Sequence, residues 1–205
     1  MMGVVSWSWV ATGEQVDERR DQARELAGLR LSSVMYVLLD YGQVDRPVGS
    51  HGPRLVEGAA ELAAPAWRCE GFDWADYAVE FTTTSGRVFT VSWDSPGCHE
   101  GIGVREVRAL GSACVEDADV ALWDVSYAGR WDSFIGAEIT DAVLHYRPRP
   151  GGGYWCSRIT VRIGGRPVHL LLGDTDGRQR LVPAADNIAV LFPPGRLPEW
   201  ERYDD

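Results

Sequence analysis

The densest group of reactive side chains is the run Ser95 to Gly101, in which Cys98 and His99 stand side by side. A cysteine acts as a nucleophile when a base lies within hydrogen-bond reach of its sulfur. Adjacent side chains point in different directions on most backbones, so these two residues do not form such a pair by themselves. We interpret the run as a polar turn. The alternative hypothesis is a catalytic or small-molecule site formed by Cys98 and His99 at the edge of the β structure.

Other short patterns begin like known binding motifs but do not complete them. Asp174-Thr175-Asp176-Gly177-Arg178 starts like a calcium loop, yet an arginine takes its fifth position and Pro183-Ala184-Ala185 stands where the bidentate glutamate is needed. Gly101-Ile102-Gly103 lacks the third glycine of a dinucleotide fingerprint. His145 and His169 both fall in predicted strands without a third ligand in view. We therefore predict no metal site and no cofactor.

Acidic residues beside aromatic ones suggest a surface that holds a basic partner. Aromatic side chains supply anchoring area at interfaces, and carboxylates meet Arg or Lys at the rim. Two stretches fit this description, one around Trp74 and one in the acidic run that precedes a predicted strand. The residues predicted to contact a partner are Asp73, Trp74, Asp76, Glu116, Asp117 and Asp119.

The overall charge points to the same kind of partner. The chain of 205 residues has 30 acidic and 20 basic residues, a net charge of −10, and every basic residue is arginine. The absence of lysine excludes Schiff-base chemistry and the lysine-dependent phosphate loop. A negative field attracts cationic proteins and repels nucleic acids and anionic membranes. We predict a basic protein partner, no nucleic acid and no membrane; the oligomeric state stays open.

The expected compartment is the cytoplasm. Met1 to Ala11 has no basic region of the kind that opens an export signal. The longest apolar stretch, Val34 to Leu39, is far shorter than the ~20 residues that span a bilayer. Four cysteines without CxxC spacing read as reduced thiols rather than a disulfide framework.

One helix and many strands must position these residues. Thr12-Gly13-Glu14-Gln15 has the capping-box pattern, which predicts a helix that begins at Thr12 and stops near Gly28. Alternating apolar residues predict a hairpin over Asp76 to Trp93 and a second one over Tyr154 to Leu172. The polar segment Glu199 to Asp205 predicts a frayed tail.

Similar patterns recur in the two halves of the chain. Each half opens on a glycine and an apolar strand, continues through a hairpin with a Gly-Arg turn, and closes on a short apolar run. The predicted fold is mainly β: a duplicated four-strand unit packed as a sandwich or barrel-like sheet, with an N-terminal α-helix. We expect residues 1–29 to form the N-terminal segment and helix, 30–126 the first repeat, 127–198 the second repeat of one compact domain, and 199–205 the tail.

Several short motifs between Val79 and Phe192 form a recurring pattern. They are Val91-Ser92-Trp93-Asp94, Trp123-Asp124-Val125-Ser126, Trp131, Phe134-Ile135-Gly136, Ile139 and Asp186-Asn187-Ile188-Ala189-Val190-Leu191-Phe192. In these motifs the chain resembles uncharacterised bacterial proteins of the toxin-immunity type. The resemblance implies a non-enzymatic protein that occludes a basic toxin or another cationic protein. It brings no catalytic residues with it.

Overall fold

The computed structural model describes residues 10–40, 53–94, 101–109, 119–149, 151–184 and 187–202. Its first element is helix α1, Gly13–Arg24, which begins at Thr12 as predicted. The Thr12 hydroxyl accepts the Gln15 N–H at 3.3 Å, and the Gln15 side chain accepts the Thr12 N–H at 3.2 Å. This reciprocal pair satisfies two of the N–H groups that a helix start leaves without intrahelical partners. The capping-box prediction is confirmed.

Strands make up most of the remaining described chain, so the prediction of a mainly β protein is confirmed. The strands are β1 (Leu31–Leu39), β2 (Arg54–Leu55), β3 (Phe72–Ala75), β4 (Ala78–Thr83), β5 (Val88–Asp94), β6 (Gly101–Arg105), β7 (Val120–Asp124), β8 (Ile139–Pro148), β9 (Tyr154–Ile163), β10 (Arg166–Leu172), β11 (Asp174–Thr175), β12 (Leu181–Val182) and β13 (Ile188–Leu191). A short helix, α2, spans Ala59–Ala63, and 3-10 turns span Asp132–Phe134 and Glu199–Glu201. Among these segments no helix combines the length and apolar composition that crossing a membrane requires.

The strands form two main sheets that pack as a sandwich. One has the order β2-β7-β1-β4-β5-β6 and the other the order β3-β13-β10-β9-β8, while β11 and β12 make a separate small hairpin. Alternate residues of both sheets point into one shared core, for example Val34 and Tyr36 of β1 and Ile159 and Val161 of β9. Helix α1 contacts β6 and β8, which are edge strands of the two sheets.

A four-strand duplication is not confirmed. The two halves share a three-strand meander, β1-β4-β5 in one sheet and β8-β9-β10 in the other. Their closing strands differ, because β7 pairs with the first strand β1 whereas β13 pairs with the third strand β10. In addition, β3 lies within the predicted first repeat 30–126 but pairs with β13 in the second sheet. Alternation of apolar residues predicts the longer strands but not which strands pair with one another.

The prediction of a frayed tail is wrong for the 3-10 turn Glu199–Glu201. Glu201 is only 2% exposed, and its carboxylate accepts hydrogen bonds from Arg147 at 2.8 Å and from Ser157 at 3.2 Å. A buried carboxylate needs such charged and polar partners. These contacts fasten the turn to strands β8 and β9.

Candidate functional site

The structure places Asp73 inside the protein rather than on a partner-facing surface. Its side chain is 1% exposed, so the expectation of an accessible carboxylate was wrong. The Tyr36 hydroxyl donates to Asp73 Oδ2 at 3.0 Å, and the Arg130 guanidinium forms a short hydrogen bond with Oδ1. The Trp131 indole N–H donates to the Tyr36 hydroxyl at 2.6 Å. Burial raises the pKa of Asp73, and Arg130 opposes this rise.

Asp76 is buried as well, which corrects the same expectation for that residue. Its Oδ1 accepts the backbone N–H of Leu39 at 2.7 Å. Trp74 is half-buried and donates its indole N–H to the Ala66 carbonyl at 3.0 Å. Asp119 is half-buried, and its backbone carbonyl accepts the N–H of Asp40. The residues around Trp74 that were predicted to contact a partner thus connect β3 and its flanking turn to the rest of the fold.

Four of the predicted site residues lie outside the described part of the chain. They are Cys98, His99, Glu116 and Asp117. The hypotheses attached to them stay predictions.

A different set of carboxylates occupies the solvent face of α1. Glu14, Asp17, Glu18 and Asp21 are all exposed, and their spacing of i, i+3, i+4 and i+7 puts them on one side of the helix. We call these four residues the acidic stripe. The opposite side carries Val16 and Ala23, which are buried against the sheets. The helix therefore presents these four carboxylates on its solvent side, where Asp17 pairs with Arg20 and Asp21 pairs with Arg24.

A groove of about 790 Å³ lies between α1 and the edge strand β8. Helix α1 contributes Arg20 and Arg24, and the strands contribute the successive residues 141–148 of β8 together with Arg158 of β9. Four arginines and one aspartate, Asp141, line it. On a protein with a net charge of −10, this groove is a local concentration of cationic side chains. We call it the arginine groove.

A β-bulge in β9 shapes the inner end of the arginine groove. His145 pairs with Arg158, but the next residue of β8, Tyr146, pairs with Cys156, so Ser157 is an additional residue in the ladder. A bulge lets two consecutive side chains point to the same face of a sheet. Here Ser157 and Arg158 both approach Glu201: the Ser157 hydroxyl donates at 3.2 Å and Arg158 Nε lies 3.7 Å from the same carboxylate oxygen. Arg147 donates to this oxygen from β8.

A chain of hydrogen bonds leads away from Arg158 across three strands. Arg158 Nη2 contacts His145 Nδ1 at 2.9 Å, His145 Nε2 contacts the Thr160 hydroxyl at 3.0 Å, and that hydroxyl contacts His169 Nδ1 at 3.0 Å. A guanidinium can only donate, so Nδ1 of His145 accepts and its ring is neutral with the proton on Nε2. Each group then donates a hydrogen bond to the next: Arg158 to His145, His145 to the Thr160 hydroxyl, and that hydroxyl to His169.

The second imidazole at the end of this chain is also neutral. Burial, followed by the nearby charge of Arg158, lowers the pKa of His169 to about 4. His145 and His169, which the sequence places in strands, are therefore linked by hydrogen bonds to the same Thr160 hydroxyl. Within the described residues, no three histidine, cysteine or acidic side chains come together in a way that could hold a metal ion.

Sequence reasoning missed the arginine groove because its parts are distant along the chain. Arg20, Arg147, Arg158 and Glu201 come from a helix, two strands and the C-terminal turn. An available signal was Ser157-Arg158, two polar residues in succession directly before the alternating stretch Ile159 to Ile163. Such an interruption of the two-residue period is the sequence mark of a bulge.

Comparison with models of known protein families, with curated proteins and with solved structures gave no match for this chain. The resemblance to toxin-immunity proteins consequently stays a prediction from the motifs quoted above.

Proposed function

We propose that this protein is a non-enzymatic bacterial binding protein of the immunity type, which occludes a basic toxin or another cationic protein in the cytoplasm. The observation that supports this proposal is the acidic stripe on α1, in a chain whose net charge is −10. A surface of one sign attracts a partner of the opposite sign over several ångströms and raises the rate of productive encounter.

The helix holds the stripe in a fixed arrangement. Its first turn is capped by Thr12 and Gln15, and Val16 and Ala23 anchor its other side in the protein. Seven residues of α-helix rise by about 10 Å, so the stripe spans the width of a small basic patch. Carboxylates on a rigid element lose little further freedom when a partner binds, which favours affinity.

The free thiols at Cys69 and Cys156 support a reducing compartment for this activity. Burial raises the pKa of the Cys69 thiol. A raised pKa keeps a thiol protonated and unreactive at neutral pH, which fits a structural cysteine.

The test compares two variants of equal charge. The stripe variant carries E14Q, D17N, E18Q and D21N; the matched control carries E57Q, E70Q, D132N and E199Q, which neutralises four exposed carboxylates elsewhere. Both changes move the net charge from −10 to −6. Each tagged protein is used for affinity capture from a lysate of the native host, and the captured protein is identified by mass spectrometry and purified.

Association rates of the purified pair are then measured across a salt series. We expect the captured partner to be basic. At low salt it should associate with the stripe variant about tenfold more slowly than with wild type, because electrostatic steering of the encounter depends on the local field. The matched control should keep most of the wild-type rate. Equal rates for the two variants, or capture of an acidic partner, would contradict the proposal.

A further inference from the structure

We propose that the arginine groove is a binding site for a small organic anion, with its carboxylate or phosphate head at Arg147 and Arg158 and its apolar part along β8. This inference goes beyond the proposed function and rests on residues that the acidic stripe does not include. Two of the groove's arginines, Arg20 and Arg24, pair with Asp17 and Asp21 of the stripe, so the site is tested below with variants that leave the stripe unchanged.

The arginines at the inner end of the groove are held in place before any ligand arrives. Arg158 is 7% exposed and is fixed by its hydrogen bond to His145. Arg147 lies between Glu201, at 2.8 Å, and the ring of Trp155, whose centroid is 5.7 Å from the guanidinium carbon. Guanidinium groups that are already oriented match the planar or tetrahedral oxygens of carboxylates and phosphates.

The charges at this end favour an anion. Arg147 and Arg158 both contact the carboxylate of Glu201, four arginines and one aspartate line the groove among the described residues, and the His169 ring is neutral at neutral pH. Arg20 and Arg24 at the outer end pair with Asp17 and Asp21, which lie on the solvent side of α1. Exposed pairs of this kind contribute little energy, so these two arginines can turn toward a ligand at small cost.

The size and the walls of the groove suit a small organic molecule. Its volume of about 790 Å³ falls in the range of small-molecule sites, roughly 300–1,000 Å³. Val143 and Pro148 add exposed apolar side chains beside the arginines. An apolar wall with a few convergent polar groups is the usual composition of such sites. An organic anion therefore fits the groove better than a bare inorganic ion.

The probes are phenyl phosphate and benzoate, with benzyl alcohol as the uncharged control, titrated into the full-length protein and followed by ¹H–¹⁵N NMR. We expect saturable shifts at the backbone amides of β8 and the C-terminal half of α1 with at least one anion, and none with benzyl alcohol. The relative affinities of the two anions tell whether phosphate or carboxylate is preferred. No saturable shift at β8 with either anion, or saturable shifts confined to another surface, would overturn the inference.

Three variants test the position of the site. Val143 is 39% exposed in the groove wall, and Leu62, on α2, is 46% exposed and does not line the groove. V143E should weaken binding of the anion by about tenfold, because it adds a carboxylate to the site. V143Q should bind within about threefold of wild type, and L62E, which has the same net charge as V143E, should bind like wild type. Equal affinities for V143E and L62E would place the binding elsewhere and overturn the inference.

Discussion

At the scale of single residues, the described structure uses its buried polar groups to join distant segments of the chain. Asp73 connects β3 to Tyr36 of β1 and to Arg130, and Glu201 connects the C-terminal turn to Arg147 and Ser157. Removing one partner from such a buried pair leaves the other charge uncompensated, which costs far more than an exposed pair contributes. Asp73 and Asp76, two of the carboxylates predicted to meet a partner, are thus part of the interior.

His169 gives a prediction for the dependence of stability on pH. Its pKa is about 4 in the folded protein and near 6.5 in the unfolded chain, so the unfolded state binds more protons between these values. The contribution of His169 to the free energy of unfolding is therefore complete above about pH 6.5 and is lost as the pH falls toward 4. The loss should be roughly 1 kcal/mol, reduced from the full shift because the ring is partly exposed to solvent.

The measurement is urea unfolding of wild type and H169Q at several pH values from 7.5 to 4. Glutamine keeps an oxygen that accepts the Thr160 hydroxyl, but it does not titrate. We expect the difference in unfolding free energy between the two proteins to shrink as the pH decreases. A difference that is constant over this range would contradict the assignment, as would a His169 pKa near 6.5 measured by NMR.

At the scale of elements, α1 is the part of the fold that its own sequence specifies most completely. The cap residues, the acidic first turn and Arg24 in the last turn agree with one another, and the helix begins where they predict. The extent of the second hairpin could also be predicted, since β9 begins at Tyr154 and β10 ends at Leu172. The short strands β2, β3, β11 and β12 could not, because two to four residues carry no recognisable period.

The candidate sites were much harder to predict than the elements. Asp73 and Asp76 flank a tryptophan in a polar-looking stretch, and nothing local distinguishes an exposed carboxylate from one that faces Tyr36 across the sandwich. Burial there depends on which strands become neighbours, and this is decided by contacts between residues far apart in sequence. The acidic stripe was not among the predicted sites, although the helical spacing of its residues within the predicted α1 is enough to identify it.

A prediction at the scale of elements concerns Thr12, the N-cap residue of α1. T12A should lower the free energy of unfolding by about 1 kcal/mol, because it removes the acceptor of the Gln15 N–H. T12S keeps a hydroxyl and should stay within about 0.5 kcal/mol of wild type. Urea unfolding followed by far-UV circular dichroism measures both values. Equal losses in T12A and T12S would show that the cap does not stabilise the helix.

At the scale of the whole molecule, the two sheets depend on each other. Their inner faces share one core, and β3, from the first half of the chain, completes the second sheet by pairing with β13. When the chain is divided near its middle, the second sheet therefore loses β3, and the first sheet keeps its strands but loses the sheet that covers its inner face. Small domains with a shared core usually unfold in a single cooperative transition.

This interdependence predicts the behaviour of separate halves. Fragments 1–126 and 127–205, expressed individually, should each lack a stable fold, because each exposes the inner face of a sheet and the pairing of β3 with β13 is lost. The test is the dispersion of amide resonances in NMR spectra of each fragment, with the intact protein as the reference. A well-dispersed spectrum from either fragment would show that half of the chain is an independent folding unit.

The pairing of β3 with β13 also has a consequence for the order of events during synthesis. The ribosome releases residues 72–75 long before residues 188–191. The strand β3, which contains Asp73, therefore cannot pair with β13 until synthesis of the chain is almost complete. Until then, the hydrogen-bonding edge of β3 that later faces β13 has to be kept from other nascent chains. Contacts so distant in sequence also slow folding. The time between the synthesis of β3 and the synthesis of β13 is therefore the period in which the nascent chain is most prone to aggregate and most dependent on chaperones.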